Sequence, residues 1–577
     1  MRDLTSKLKK SIFGGDASSI SHNILLVALC GALYFPYLGS TPFFDKGEPR
    51  EALAVQDIVQ RGEWLFPLKR ATAIPSKPPL FHWSAALTYQ VTGQLNEATI
   101  RFPSALYATL GVVFVYGLGR KLFGAEVGLL GGTILATTMI YQNQALSARV
   151  DMTLCFFVTV SLILFYALYR GFLIHPLYYF AFYTLVGLGT LAKGPLGIVL
   201  PGLVIALFLG IKKRWDLVIK FAFHPGVVLG LILILGWYGL AVTRGGEGFV
   251  HRQLLSENLN RFFGGSGHSH PVYYYLPYLF SLGLPWSLLL PFLLWDSFRR
   301  GFAHNDDRLF LQVWFAAMLV FFSFSAGKRP VYLLPLYPAL SLLLALWIHD
   351  HGVPDHTRRL LYRVVAAFAG IVGIVLLVIT FGALWNHEPG WFFSLVAPLL
   401  KPKDRANLEV VQNALDSFGG VFTTVSFVAS ALWLCLSSSL WLGRLRAAAL
   451  IIVLNAVPVM FISRGVLFPV IAADKSYREF MHEVNQRVGP GERLFIYGDF
   501  NSDPVLYYRG ETIVVDERSI EAVAPKIGAG NSFVIMTEPS WKMLRTLNAN
   551  LPAPLARSAG KGPEGDAPLV LLQAELS

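Results

Sequence analysis

Charge is scarce in this chain. Only 15% of its 577 residues are Asp, Glu, Lys or Arg, against 54% hydrophobic, and the mean hydropathy of +0.52 lies far from that of a soluble domain. Cysteine is nearly absent as well: Cys30, Cys155 and Cys435 are the three, and all fall within apolar runs. That excludes a disulfide framework or a zinc cluster and reads them as small buried apolar residues. No CxxC, HExxH, P-loop or GxGxxG in a strand–helix context occurs, so nucleotide-driven chemistry is not indicated. The first apolar run has no small-residue cleavage site and is too long for a removable leader, so it is expected to remain as an anchor.

What the chain does have is repetition of apolar runs of about 17–25 residues, each long enough to cross a hydrocarbon core roughly 30 Å thick as a helix. Sheet barrels would alternate over shorter segments. The runs predict an α-helical polytopic membrane protein with thirteen transmembrane helices, near 22–40, 103–118, 125–143, 151–169, 177–192, 196–211, 223–243, 272–297, 309–325, 331–349, 363–384, 419–441 and 447–463. Basic residues such as Arg2, Lys7, Lys9, Lys10, Arg120, Lys121, Lys212, Lys213 and Arg214 sit in alternate loops, which fixes those loops as cytoplasmic. The first outer loop (41–102) and a tail from 464 then face outward, giving a transmembrane domain over 1–463 and an extracytoplasmic one over 464–577. In the tail, a helical stretch around Tyr477–Arg487, the turn Gly489-Pro490-Gly491 and strand-like segments at 493–497, 512–515, 532–536 and 568–573 predict a small α/β domain. Substrate docking and a lid are the two roles it could fill, and the lid is preferred.

Several outward loops are basic, which topology does not explain. Cations on that side suggest a bound anion such as a phosphate at the headgroup level; the net charge of +12 is mostly topological and implies no nucleic-acid partner. The richest loop runs from Phe43 to His82 and sets Asp45, Glu48 and Glu51 beside Lys46, Arg50, Lys69, Arg70 and Lys77. Lys77 lies in the proline-stiffened Ser76-Lys77-Pro78-Pro79, Arg101 opens the second span, Asp151 stands at the mouth of the fourth and Lys193-Gly194-Pro195 separates the fifth from the sixth. Arg261, His270-Pro271-Val272-Tyr273-Tyr274-Tyr275 and Lys328-Arg329 with Tyr332 follow on the same face. Each has a plainer explanation. The lysines and arginines could snorkel to headgroups, Asp151 could cap its helix or pair with Arg149, the tyrosines could form an interfacial belt, and His270 is more often a satisfied loop histidine than a metal ligand. Their convergence on one face is harder to dismiss.

That ordered set, from the acidic first loop through Ser76-Lys77-Pro78-Pro79-Leu80, Arg101-Phe102-Pro103-Ser104-Ala105-Leu106, Asp151-Met152, Lys193-Gly194-Pro195 and His270-Pro271-Val272-Tyr273-Tyr274 to Lys328-Arg329 and Tyr332-Leu333-Leu334-Pro335, resembles bacterial glycosyltransferases of the aminoarabinose transferase and protein O-mannosyltransferase superfamily. The resemblance spans roughly residues 40–340. It implies a glycosyltransferase-C type fold in the bacterial inner membrane, with a sugar passed from a polyprenyl phosphate to an acceptor on the periplasmic side: lipid A, another envelope glycolipid, a glycan or a protein. Such enzymes carry adjacent Asp and Glu in the first outer loop. Here Gly47 stands where the Asp aligns and Glu48 matches the second acid, so either Asp45 reaches in or Glu48 serves alone; Glu48 is preferred, with Asp45 in support.

On that reading the phosphate is a good leaving group once cations neutralise it, and Lys77, Arg261, Lys328 and Arg329, with Lys193 beside them, are expected to do so. Glu48 or Asp45 would take the acceptor proton while Asp151 positions sugar or acceptor; Arg101, His270, Tyr273, Tyr274 and Tyr332 complete the expected substrate contacts. The displacement is a single inverting step. Some relatives of this fold hold a divalent metal at the acidic loop, but the ligand set here is not diagnostic of one, and no other cofactor is implied. A flippase or transporter of polyprenyl-linked sugars is the competing class, although it should scatter charge through the spans; an oligosaccharide polymerase or ligase shares the outer site.

Overall fold

The computed structural model describes residues 17–43, 47–68, 74, 76–260, 264, 270–300, 305–350, 356–386, 391–392, 394, 397–400, 405, 408, 410–412, 418–489, 492, 494–497, 506–508, 512–515, 527–547, 553–558 and 567–574. Helix forms on every one of the thirteen apolar runs, but not every helix is an unbroken apolar one of 18 residues or more. Among the described residues nine are: Ser18–Tyr37, Glu97–Phe123, Val150–Tyr169, Gly226–Gln253, Asp306–Phe324, Pro330–Asp350, Tyr362–Trp385, Gly419–Trp441 and Leu445–Ala473. Val272–Leu282 and Trp286–Phe298, bent by 113°, make a tenth if they are one span. The remaining three expected spans are the shorter helices Ala125–Thr137, Leu177–Lys193 and Leu196–Ile211, of 13, 17 and 16 residues. The first is interrupted because Thr138 takes an extended backbone before helix resumes at Met139; 13 residues rise only about 20 Å.

Packing sorts the helices into inner and outer ones. Val150–Tyr169 and Pro330–Asp350 are 89% buried over their apolar windows, whereas Gly226–Gln253 and Gly419–Trp441 are 22% buried and turn most of their surface to lipid. Cys30 and Cys155 are buried, but Cys435 is exposed on the lipid-facing Gly419–Trp441 helix, contrary to the expectation of burial. Next to the central helix, Leu177–Lys193 and Leu196–Ile211 form a tight hairpin. A Cβ at Gly197 would lie 2.2 Å from the backbone N of Thr190, so only glycine permits this approach, which sets the height at which Lys193 ends its helix. One end of the bundle is tied by Tyr166 donating to Asp307 (2.6 Å), Tyr169 to Asp306 (2.7 Å) and Lys212 pairing with Asp306 (2.5 Å). The opposite end carries the loop helices Glu48–Arg61 and Leu80–Thr92.

Above that end sits a five-stranded sheet in the order β2-β1-β3-β5-β4: β1 Leu494–Tyr497, β2 Thr512–Val515, β3 Ile527–Thr537, β4 Ala556–Arg557 and β5 Leu569–Ala574. The strands β2, β1 and β3 are parallel, and β5 is antiparallel to both β3 and β4. The expected helix is Arg478–Arg487, and a further helix, Glu538–Leu547, follows β3 directly. The last long apolar helix runs through residue 464 to Ala473. The small domain is fastened to the bundle at Glu97: Tyr507 donates to its Oε1 at 2.8 Å and Arg478 pairs with the same oxygen at 3.3 Å. The Phe43 amide donates to the Tyr507 hydroxyl (3.1 Å), and Leu53 of the first loop helix joins the apolar cluster of Tyr477, Phe480 and Met481. Replacing Glu97 by Gln weakens both contacts at once, so limited trypsin digestion is expected to cut after Lys475 several-fold faster than in the unaltered protein while the bundle stays intact.

Candidate functional site

The loop helix Glu48–Arg61 begins with Pro49 in its first turn, whose fixed φ suits a helix start, and has Glu48 and Glu51 in that turn, where the helix dipole favours carboxylates. Gly47, Arg50 and Glu51 are three and four residues apart, so they share a face. Opposite them are the first turn of Val150–Tyr169, the last turn of Leu177–Lys193 and the short helix Pro330–Leu336. Between these ends lies a cavity lined by Gly47, Arg50, Glu51, Ser76, Lys77, Arg149, Val150, Asp151, Lys193, Arg329, Val331 and Tyr332. Arg50, Lys77, Arg149, Lys193 and Arg329 are five cations among those residues, against the two carboxylates of Glu51 and Asp151.

Each carboxylate has a defined partner. Asp151 accepts from the Lys193 ammonium through Oδ1, both side chains being nearly buried, and the same ammonium stands 4.7 Å over the Tyr332 ring, a cation–π contact worth more where water is excluded. Glu51 meets His82 Nε2 at 2.7 Å, with the histidine completely buried. Gly47 makes room for a cation: a Cβ there would stand 1.1 Å from Nη1 and 2.4 Å from Cζ of Arg149, so the guanidinium fills the space a side chain at 47 would take. Arg50, Glu51, His82 and Arg149 were not among the expected site residues. The Gly47, Arg50, Glu51 spacing behind a helix-starting proline was the available signal for the first two; nothing local pointed to His82.

Glu48, the expected proton acceptor, is not among the residues that line this cavity. Its carboxylate is clamped by Arg101, Nε to Oε1 and Nη2 to Oε2 both at 2.8 Å, and accepts the Ala148 amide at 2.8 Å. Burial alone would raise its pKa, but Arg101, the Ala148 amide and Arg149 outweigh that and hold the carboxyl below the usual range. Neither Glu48 nor Arg101 lines the cavity; Arg101 also donates to the carbonyls of Leu38 (2.9 Å) and Thr41 (2.7 Å). Lys328 is likewise diverted, its ammonium donating to the carbonyls of His270 (2.9 Å) and Ser325, so Arg329 alone of that pair lines the cavity. His270 and Tyr273 are exposed, and Tyr274 stacks on His270 with ring centres 4.2 Å apart; none of the three lines the cavity. Lys77, Lys193, Arg329, Tyr332 and Asp151 do. Asp45 and Arg261 lie outside the described residues.

Among the described residues no three His, Cys, Asp or Glu side chains converge as a metal site would require. The donor set facing the cavity, five cations and two carboxylates already in contact with Lys193 and His82, does not fit a divalent cation.

Residues 76–238 match the family described as dolichyl-phosphate-mannose-protein mannosyltransferase. An undecaprenyl phosphate-alpha-4-amino-4-deoxy-L-arabinose arabinosyl transferase of Pectobacterium atrosepticum is 26% identical over 390 residues, covering 65% of this chain and 68% of that one. A Pseudomonas aeruginosa protein of the same description is 31% identical over 326 residues, covering 56% and 58%. Similar proteins of Yersinia enterocolitica and Pseudomonas fluorescens are covered over 65% and 64% of their own lengths, so the chain aligns with about two thirds or less of several relatives. Among solved structures, ArnT from Cupriavidus metallidurans bound to undecaprenyl phosphate superposes with a TM-score of 0.74 at 21% identity, covering 96% of this chain and 98% of the other. At that identity the likeness establishes the fold, a glycosyltransferase-C bundle with its small appended domain.

Two outcomes follow from the geometry. Glu48→Gln leaves Arg101 buried without its charge partner and is expected to cost about 3–5 kcal/mol of stability, read from denaturation in detergent. Because the folded carboxyl has the depressed pKa, its contribution is full above the ordinary value of 4.5 and declines as pH falls below it; the variant should lack that acid-side decline. Gly47→Ala should drive the Arg149 guanidinium out of its slot and lower activity at least tenfold with a melting temperature close to the parent's.

Proposed function

We propose, from the premise that the chain belongs to the aminoarabinose transferase and protein O-mannosyltransferase superfamily of glycosyltransferases, that it moves a sugar from undecaprenyl phosphate to an envelope acceptor such as lipid A. The observation that carries this reading is the charge excess among the described residues lining the cavity, five cations against two carboxylates, at the end of the bundle where the expected outward loops meet. A phosphate monoester joined to a sugar is an anion of the size such a place suits, and its polyprenyl tail belongs in the surrounding lipid. We place the cavity and the small domain on the periplasmic side of the inner membrane, where the basic loop pattern puts them.

On this reading Lys77, Lys193 and Arg329, with Arg50 and Arg149 beside them, hold the carrier phosphate and stabilise the charge that grows on it as the anomeric C–O bond breaks. Lys193 is steadied for that task from two sides, by Asp151 and by the Tyr332 ring. The acceptor oxygen attacks the opposite face of the anomeric carbon, so configuration inverts. Transport of the intact carrier is less well supported: the second charged cluster, Asp306, Asp307, Arg170 and Lys212, lies at the far end of the bundle, and the central helix between the ends has no Asp, Glu, Lys, Arg or His after Asp151.

The test is transfer in nanodiscs from undecaprenyl phosphate-linked 4-amino-4-deoxy-L-arabinose to lipid A, followed by mass spectrometry of the product. Lys193→Met and Arg329→Gln should each weaken binding of undecaprenyl phosphate by about 10- to 100-fold, the worth of one charge-assisted hydrogen bond of roughly 1.5–3 kcal/mol. Unaltered binding in both would remove the cavity from donor recognition, and sugar found across the membrane without product would favour a transporter.

A further inference from the structure

We propose that the cleft between the end of the first spanning helix, the last long apolar helix and the small domain holds the sugar of the acceptor that does not react; this rests on the transferase reading above and names the acceptor class, a lipid-borne headgroup of at least two sugars. The cleft measures about 510 Å³, against about 70 Å³ for the cavity of the five cations, so room for a headgroup beyond its reacting end is found in the cleft. That volume is within the range of small-molecule sites. Its walls come from three parts of the chain: Ser40 and Pro42 after the first spanning helix, Pro469 and Ala473 on the last long helix, and one side of the helix Arg478–Arg487.

That last helix divides its faces. Phe480, Met481 and Val484 are buried in the apolar cluster with the strands, whereas Arg478, His482 and Asn485, spaced by four and three residues, share a stripe that lines the cleft. The apolar stripe packs the domain, and the polar one presents hydrogen-bonding groups to whatever enters. Arg478 gives its Nη1 to Glu97 at 3.3 Å, and a guanidinium has five N–H donors in all, so it can hold a hydroxyl or a phosphate as well. Glu479, also in the lining, accepts from hydroxyls. An arginine, a carboxylate, an imidazole and an amide together match sugar hydroxyls, which both donate and accept; a site for a phosphate alone would be lined by cations in excess, as the smaller cavity is.

Cleft and cavity adjoin. Pro42 lines the one and Gly47 the other, and the chain that joins them allows their Cα atoms to be at most about 18 Å apart. Arg101 ties the two ends of this stretch together, donating to the Thr41 carbonyl at 2.7 Å and chelating Glu48. A headgroup with its reacting group at the cavity and its next sugar in the cleft therefore lies across the Glu48–Arg101 clamp. The ligand is lipid-borne because Pro469 and Ala473 belong to the apolar helix Leu445–Ala473, on which Leu454, Val457 and Phe461 are exposed and give acyl chains a surface to lie on.

The experiment fills the cleft at two exposed positions, with Ala473→Phe and His482→Trp in the full-length protein in nanodiscs. Acceptors are lipid A, which has two sugars, and a diacylated glucosamine 1-phosphate, which has one; the donor is undecaprenyl phosphate-linked 4-amino-4-deoxy-L-arabinose. Each variant should raise KM for lipid A by about tenfold or more, the loss of one or two hydrogen bonds, while KM for the donor, undecaprenyl phosphate binding by native mass spectrometry and melting temperature stay within about twofold or a few degrees. In the parent, the one-sugar acceptor should be the poorer by a similar factor or not be used. Unaltered KM for lipid A in both variants overturns the proposal, as do equal KM values for the two acceptors in the parent or a fall in melting temperature of both variants that accounts for the change. Phosphatidylglycerol that competes with lipid A in the parent and not in the variants assigns the cleft to a phospholipid headgroup and also overturns it. A parent that neither binds undecaprenyl phosphate nor transfers from it overturns the transferase reading, and this inference with it; an active parent whose variants handle lipid A equally well overturns this inference alone.

Discussion

The buried pair of Glu48 and Arg101 is the interaction on which the site's shape depends. One guanidinium reaches the carboxylate at the start of the loop helix, the carbonyls of Leu38 and Thr41 at the end of the first spanning helix, and through Glu48 the amide of Ala148 just before the central helix. Three stretches far apart in sequence, 38–48, the helix of Arg101 and the approach to the central helix at Ala148, are thereby joined by hydrogen bonds. A charge pair taken out of water adds little net stability, but breaking it is costly, and that asymmetry suits a positioning device: the wrong arrangement is penalised more than the right one is rewarded. Its consequence lies one turn away, where Arg50 and Glu51 are carried on the same helix into the cavity.

The cavity illustrates how a protein concentrates like charges without flying apart. Five cations line it, and in low dielectric their mutual repulsion would be severe if each stood alone. The Lys193 ammonium is offset by Asp151 and by the face of Tyr332, and the Arg149 guanidinium lies in the slot beside Gly47. Among the described lining residues the cations still outnumber the carboxylates. A phosphate entering there replaces repulsion by attraction and needs little rearrangement of groups already held in position, which is the condition under which electrostatic stabilisation contributes most to a reaction.

Much of this was legible in the sequence, and the parts that were not share a cause. Apolar run length located helix on all thirteen expected stretches, because burial of a helix in lipid is a one-dimensional property of composition. It does not register a break such as Thr138, which leaves composition unchanged while interrupting the helix. The outer-face positions Lys77, Asp151, Lys193, Arg329 and Tyr332 reach one cavity, since helix ends on the same side must be near one another. Whether a charged residue within that face points into the cavity or into a structural bond depends on packing. Glu48 and Lys328 were expected in the cavity and are bound elsewhere, whereas Glu51 and Arg149, which were not among the expected site residues, line it. Spacing cannot distinguish a carboxylate with an arginine one turn into a neighbouring helix from one with a histidine behind it.

The small domain bears on the same geometry through a short chain of contacts. Tyr507 and Arg478 hold Glu97, which is in the first turn of the helix that carries Arg101 one turn further on, and Asn96 caps that turn by accepting from Thr99. Tyr507 also receives the Phe43 amide, next to the strand of chain that leads to Gly47. The domain therefore grips both partners of the central clamp from their flanks: the arginine through the start of its helix, the glutamate through the approach to its own. The small domain thus meets the two segments that flank the clamp, whose two hydrogen bonds are both 2.8 Å long, although none of its described residues lines the cavity.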